Sequence, residues 1–138
     1  KDPANIHLKV QELCDCFATT DPLKGMSDIG HAGEDDEAAL KWIALAVLHG
    51  INSNAEKISL TTTKDGKVRV TAEYREGDLP APGPAVGKKI IEAIRAMTHI
   101  EKDKDKMTLA LGIRNNSIDL KIKSRHEGGD DRISITFP

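Results

Sequence analysis

Aromatic side chains are scarce: one Trp, one Tyr and two Phe in 138 residues. Phe17, Trp42, Tyr74 and Phe137 fall at positions read below as buried, so no platform is left on which bases would stack. Helix-turn-helix and zinc-finger signatures are missing too, which argues against a nucleic-acid partner beyond non-specific phosphate contact. Two cysteines are too few for a disulfide framework. Cys14 and Cys16 lie two apart on an expected helix, where side chains diverge rather than converge on one ion; Cys14 is read as core and Cys16 as a partly exposed thiol. No apolar run approaches the ~20 residues of a membrane-spanning helix and no signal peptide is read, so a soluble cytoplasmic protein without a membrane partner is expected. The chain opens on Lys1 without a methionine, as expected of a trimmed or processed chain. Nor is one sign of charge in excess: 20 Lys and Arg against 22 Asp and Glu give a formal net charge of -2, which excludes a bulk polycation. A Ser-His-Asp order, a nucleophile elbow, paired catalytic carboxylates and a dinucleotide glycine pattern are all missing. No cofactor or metal is assigned, and the weight moves from an enzyme toward a binding or assembly domain.

What is present is periodicity, with 38% apolar residues, enough for one α+β domain over residues 1–138. Asp2-Pro3 reads as a helix start, and Ile6, Val10, Leu13, Cys14 and Phe17 recur at helical spacing until Asp21-Pro22, which is read as the stop. Residues 21–33 hold Pro22, Gly25, Gly30 and Gly33 without a sustained period and read as a loop with one short helical turn around Leu23 to Ile29. A second helix spans 35–49, with Gly50 as its left-handed cap, and from Ala38 to Leu48 only Lys41 is polar.

The period then changes to two. Runs 56–63 and 67–75 form a hairpin, and only a three-residue turn, Lys64-Asp65-Gly66, keeps Ile58 and Leu60 on the face of Val68 and Val70. A proline-rich connector ends at Pro84, which opens a third helix reaching His99 or Ile100; Val86, Ile90, Ile91, Ile94 and Met97 face inward, with Lys88, Lys89, Glu92 and Arg95 mainly outward. After a solvated charged loop over 101–105, three more strands alternate. An Asn115-Asn116 turn is expected to pair Ile113 with Ile118, and a turn at Gly128-Gly129 to align Ile122 with Ile135. The expected fold is α+β, a two-layer sandwich with three helices on one face of a mainly antiparallel five-stranded sheet. Its element order is α-α-β-β-α-β-β-β and its strand order 2-1-3-4-5.

Assigning faces brings out the main functional feature. Lys57, Lys67, Arg69, Arg75, Lys106, Arg114, Lys121, Lys123 and Arg132 fall on the open side of the sheet, against Glu73 and Asp119. The rest of the chain is then acidic, and the first reading is a small interaction module whose basic sheet face takes an acidic protein or a phosphate-bearing ligand. Ordinary solvent-facing strand residues that discourage edge aggregation explain the same pattern without a partner. An alternative is a small enzyme or metal-binding protein centred on the loop of His31, Glu34 and Asp35, where an imidazole stands near carboxylates. Another is a structural homodimer through helix 35–49, whose outer surface carries almost no charge. Finally, Gly87 and Lys88 near a helix start are read as an anion site, although the segment fails the phosphate-loop spacing.

Overall fold

A computed structural model describes residues 3–17, 21–29, 35–72, 78–113 and 116–138. Helices α1 (Pro3–Cys16), α2 (Pro22–Ile29) and α3 (Asp35–Asn52) precede strands β1 (Lys57–Thr62), β2 (Val68–Ala72) and β3 (Asp78–Leu79). Helix α4 (Pro84–Thr98) then leads to β4 (Lys104–Ile113), β5 (Asn116–Glu127) and β6 (Asp130–Thr136). Among the described residues there are therefore four helices rather than three, and the five expected strands are joined by a two-residue sixth, β3, which pairs with β2. Every strand pairing among the described residues is antiparallel. No helix among the described residues is long and apolar enough to cross a membrane.

The extra helix comes from a second use of Asp-Pro. The Leu23 N–H donates to Asp21 Oδ1 at 3.1 Å, so Asp21 caps α2 and Pro22 takes its first helical position. α1 itself ends at Cys16, ahead of this dipeptide. Met26 and Ile29 of α2 are buried, and the helix packs on α3. α3 also packs against α1 and α4, and Trp42 is 1% exposed. The apolar surface that suggested a homodimer is thus covered by the chain's own helices.

The strand order is β3-β2-β1-β6-β5-β4. The last strand, not the first of the meander, pairs with β1, which corrects the expected order. Composition accounts for this: β6 brings buried Ile133 and Ile135 opposite Leu60 and Ile58, whereas β4 carries Lys104, Lys106 and a 45% exposed Met107 and suits an edge. α1 closes part of that edge. Gln11 Oε1 accepts from the Gly112 N–H at 2.7 Å, and the Ala110 carbonyl lies 2.7 Å from His7 Nε2.

The first hairpin has the expected register, Thr62 opposite Val68 and Leu60 opposite Val70, with Gly66 at φ 86°. In the β5–β6 hairpin Ile122 faces Ile135, and Gly128 and Gly129 take φ 61° and 88°. The β4–β5 register is shifted by two, with Leu111 facing Ile118 and Ile113 facing Asn116, while residues 114 and 115 of the expected turn region lie outside the described residues. A shift of two leaves the faces unchanged. Arg95 is half-buried rather than outward, donating to Ser124 Oγ at 2.7 Å and the Lys102 carbonyl at 2.6 Å.

Gly50 is not a cap, since α3 runs on to Asn52 and Asn54 supplies the left-handed residue at φ 53°. Its place is a close approach, where an added Cβ would stand 2.1 Å from Phe137 Cζ. Gly50→Ala should cost about 1–3 kcal/mol in chemical denaturation. On a Phe137→Ala background the same change should be neutral or stabilising, because alanine favours a helix over glycine by ~0.5–1 kcal/mol. A destabilisation of equal size in both backgrounds would show that the ring is not the cause.

Cys14 is fully buried between α1 and α3, with Sγ 3.9 Å from the Ala44 carbonyl, and Cys16 is exposed. Burial, then the charge of Asp15, pushes the Cys14 thiol up to about 12 from 9.0. The stabilisation from keeping it neutral is complete below the unfolded value and is lost as pH climbs from 9 toward 12. Relative to Cys14→Ala, stability should fall by about 2 kcal/mol between pH 8 and pH 10.5 in urea titrations. Parallel curves for the two proteins would contradict a buried neutral thiol.

Candidate functional site

Strand alternation divides the sheet into a helix side, holding Ile58, Leu60, Val70, Leu120, Ile122, Ile133 and Ile135, and an outer side. On β5 the outward positions are Asp119, Lys121, Lys123, Arg125 and Glu127. Register then sets what stands beside them. One row crosses five strands as Lys104, Arg125, Arg132, Thr61 and Arg69. The next runs Lys106, Lys123, Ser134, Ser59 and Thr71. Neighbouring rows lie about 7 Å apart along the strands and neighbouring strands about 4.8 Å apart.

Three cross-strand pairs on this side oppose cation to cation: Lys104 with Arg125, Lys106 with Lys123, and Arg125 with Arg132. Like charges directly opposite destabilise a sheet. Lys104, Lys106, Lys121, Lys123, Arg125 and Arg132 are all exposed, whereas Ser59 and Ser134 between them are buried, with their hydroxyl oxygens 3.1 Å apart. Arg125 Nη2 pairs with Glu127 Oε2 at 2.6 Å, and Arg132 Nη2 donates to Ser59 Oγ at 3.4 Å. A depression of about 390 Å³ opens between Thr61, Arg125, Glu127, Asp130 and Arg132. A larger hollow, about 530 Å³, begins at Thr136, the cross-strand partner of Lys121, and gathers apolar side chains such as Ile118 and Phe137 with one acidic residue, Glu56. Volume is the weaker guide here, because convergent charge and not space selects an anionic ligand.

Of the residues singled out from the sequence, Lys57, Arg69, Lys106, Lys121, Lys123 and Arg132 share the outer side. Lys67 adjoins the β1–β2 turn, 3.9 Å from Asp65. Arg75, Arg114 and Glu73 lie outside the described residues, as do His31 and Glu34, and Asp35 is described only as the first residue of α3. Among the described residues no group of three or more His, Cys, Asp or Glu is arranged to hold a metal ion. The Gly87 N–H donates to the Gly83 carbonyl at 2.9 Å, and an added Cβ there would meet Val68 at 2.9 Å. That glycine serves close packing of α4 on the β1–β2 hairpin, away from the cation rows.

Arg125 and Lys104 escaped the sequence reading, although the signal was there. Aligning Ile122 with Ile135 already sets Arg125 opposite Arg132, and running the β4 alternation back from Met107 makes Lys104 outward. Comparison with protein-family models and with curated proteins gave no match, so no family is assigned.

Proposed function

We propose that this chain is a binding module that uses the outer side of its sheet to hold an acidic or phosphate-bearing partner. The observation that carries the reading is the opposition of cations in three neighbouring cross-strand pairs. A face shaped only for solubility gains from mixed signs, which lower repulsion between adjacent strands. Here the repulsion is left in place, and a polyanion laid across the rows offsets it. The partner that fits presents repeated anionic groups rather than bases.

Binding of a heparin fragment and of polyglutamate to the full chain, followed by calorimetry at rising salt, tests the reading. Affinity should fall linearly on a log–log plot against salt, because each neutralised charge releases a counterion. Absence of binding by either polymer at low salt would remove the proposal.

A further inference from the structure

Resting on the polyanion reading above, we infer that the depression between Arg125 and Arg132 anchors the partner and takes the phosphate-monoester group of a phosphorylated acidic peptide. Arg125 and Arg132 are cross-strand partners, so their side chains leave the sheet side by side, with Cβ atoms about 5 Å apart. Thr61 stands opposite Arg132 on β1 and adds a hydroxyl donor to the same depression. Glu127 holds one edge of the Arg125 guanidinium, and the described partner of Arg132 is a neutral hydroxyl, that of Ser59. A carboxylate, with one charge and two oxygens, is satisfied by a single guanidinium fork. A phosphate monoester carries nearly two charges and three terminal oxygens, which suits two guanidinium groups and a hydroxyl.

Glu127 and Asp130 occupy the next row and close that end of the depression to a second anion. The remainder of the peptide therefore runs the other way, over Lys123, Lys106 and Lys121. A peptide fits better than a membrane, because among the described residues the exposed large apolar ones, Leu8, Ile51 and Met107, belong to α1, α3 and the helix side of β4. None of them stands on the cation-bearing side to enter a bilayer. Among the described residues no aromatic side chain stands on this side either, which leaves nothing to stack on bases.

The test uses two fluorescein-labelled, glutamate-rich peptides, one with a central phosphoserine and one with glutamate at that position, titrated by anisotropy against the full chain. The phosphopeptide should bind about 10-fold more tightly, as a bidentate charge-assisted contact would give. Arg132→Gln should abolish that preference while leaving the glutamate peptide within about twofold, and Arg132→Lys, which keeps the charge without the fork, should reduce it. Lys121→Gln should weaken both peptides alike. Equal affinity of the two peptides for the unmodified chain, a preference that survives Arg132→Gln, or tighter binding to phosphatidic acid vesicles would overturn the anchor. Those three outcomes leave the polyanion reading standing, whereas failure of both peptides to bind removes that reading and the anchor with it.

Discussion

Trp42→Ala is expected to remove about 3–5 kcal/mol of folding stability, the usual cost of truncating a buried aromatic to alanine. Trp42 is 1% exposed and belongs to the contiguous apolar core. A domain of this size is commonly stable by only ~5–15 kcal/mol, so the variant should be near the edge of folding at 25 °C. Trp42 Nε1 is buried and has no hydrogen-bond partner among the described residues. Trp42→Phe, which removes that N–H and keeps a ring, should therefore cost less than about 1.5 kcal/mol. Because α3 is wrapped by α1, α2 and α4, the unfolding midpoint should not move with protein concentration. A midpoint that rises with concentration, or a loss below ~1 kcal/mol in Trp42→Ala, would mean that α3 is not buried by its own chain.

Reversing Lys121, Lys123 and Arg132 to Glu should lower affinity for a heparin fragment by roughly 100-fold or more near 0.1 M salt, since three attractive charges become repulsive. Folding should survive the same change. All three side chains are exposed, Glu at position 123 faces Lys106, and Glu at position 132 faces Arg125. Replacing like-charge pairs with opposite ones contributes ~0.2–1 kcal/mol each, so stability should hold or rise. A face that binds gives up some stability for the arrangement it keeps, and the expected pattern is gain in one property with loss in the other. Heparin affinity unchanged in the folded variant would show that these rows are ordinary surface.

Local chemistry made much of this architecture legible. Parity alone separates a three-residue turn at Lys64-Asp65-Gly66 from a two-residue one, because the wrong choice turns Ile58 and Leu60 away from Val68 and Val70. It is silent between registers that differ by two, such as Ile113 opposite Ile118 and the observed Ile113 opposite Asn116, because both leave the same residues on the same face. Strand order was hidden for a different reason: β1 can accept either end of the meander by hydrogen bonding alone. The choice follows from which strand tolerates an edge, and β4 with its lysines does so better than the isoleucines of β6. α2 is legible only as a short helical turn around Leu23 to Ile29, because Asp21-Pro22 is read as a stop and not also as the cap and first position of a new helix. At the candidate site Lys106, Lys121, Lys123 and Arg132 are legible one by one as outward cations, whereas Arg125 and Lys104, and with them the opposition of like charges, emerge only when register is carried across the strands.

The most direct measurement is a map of backbone amide chemical shifts in the full chain during titration with a short heparin fragment. Perturbed amides should cluster at Lys104 to Lys106, Lys121 to Arg125 and Arg132 to Ser134, while α2, α3 and the Gly83–Lys88 helix start stay still. A cluster at the helix start or on the helices, or no shift at all at low salt, would contradict the polyanion reading.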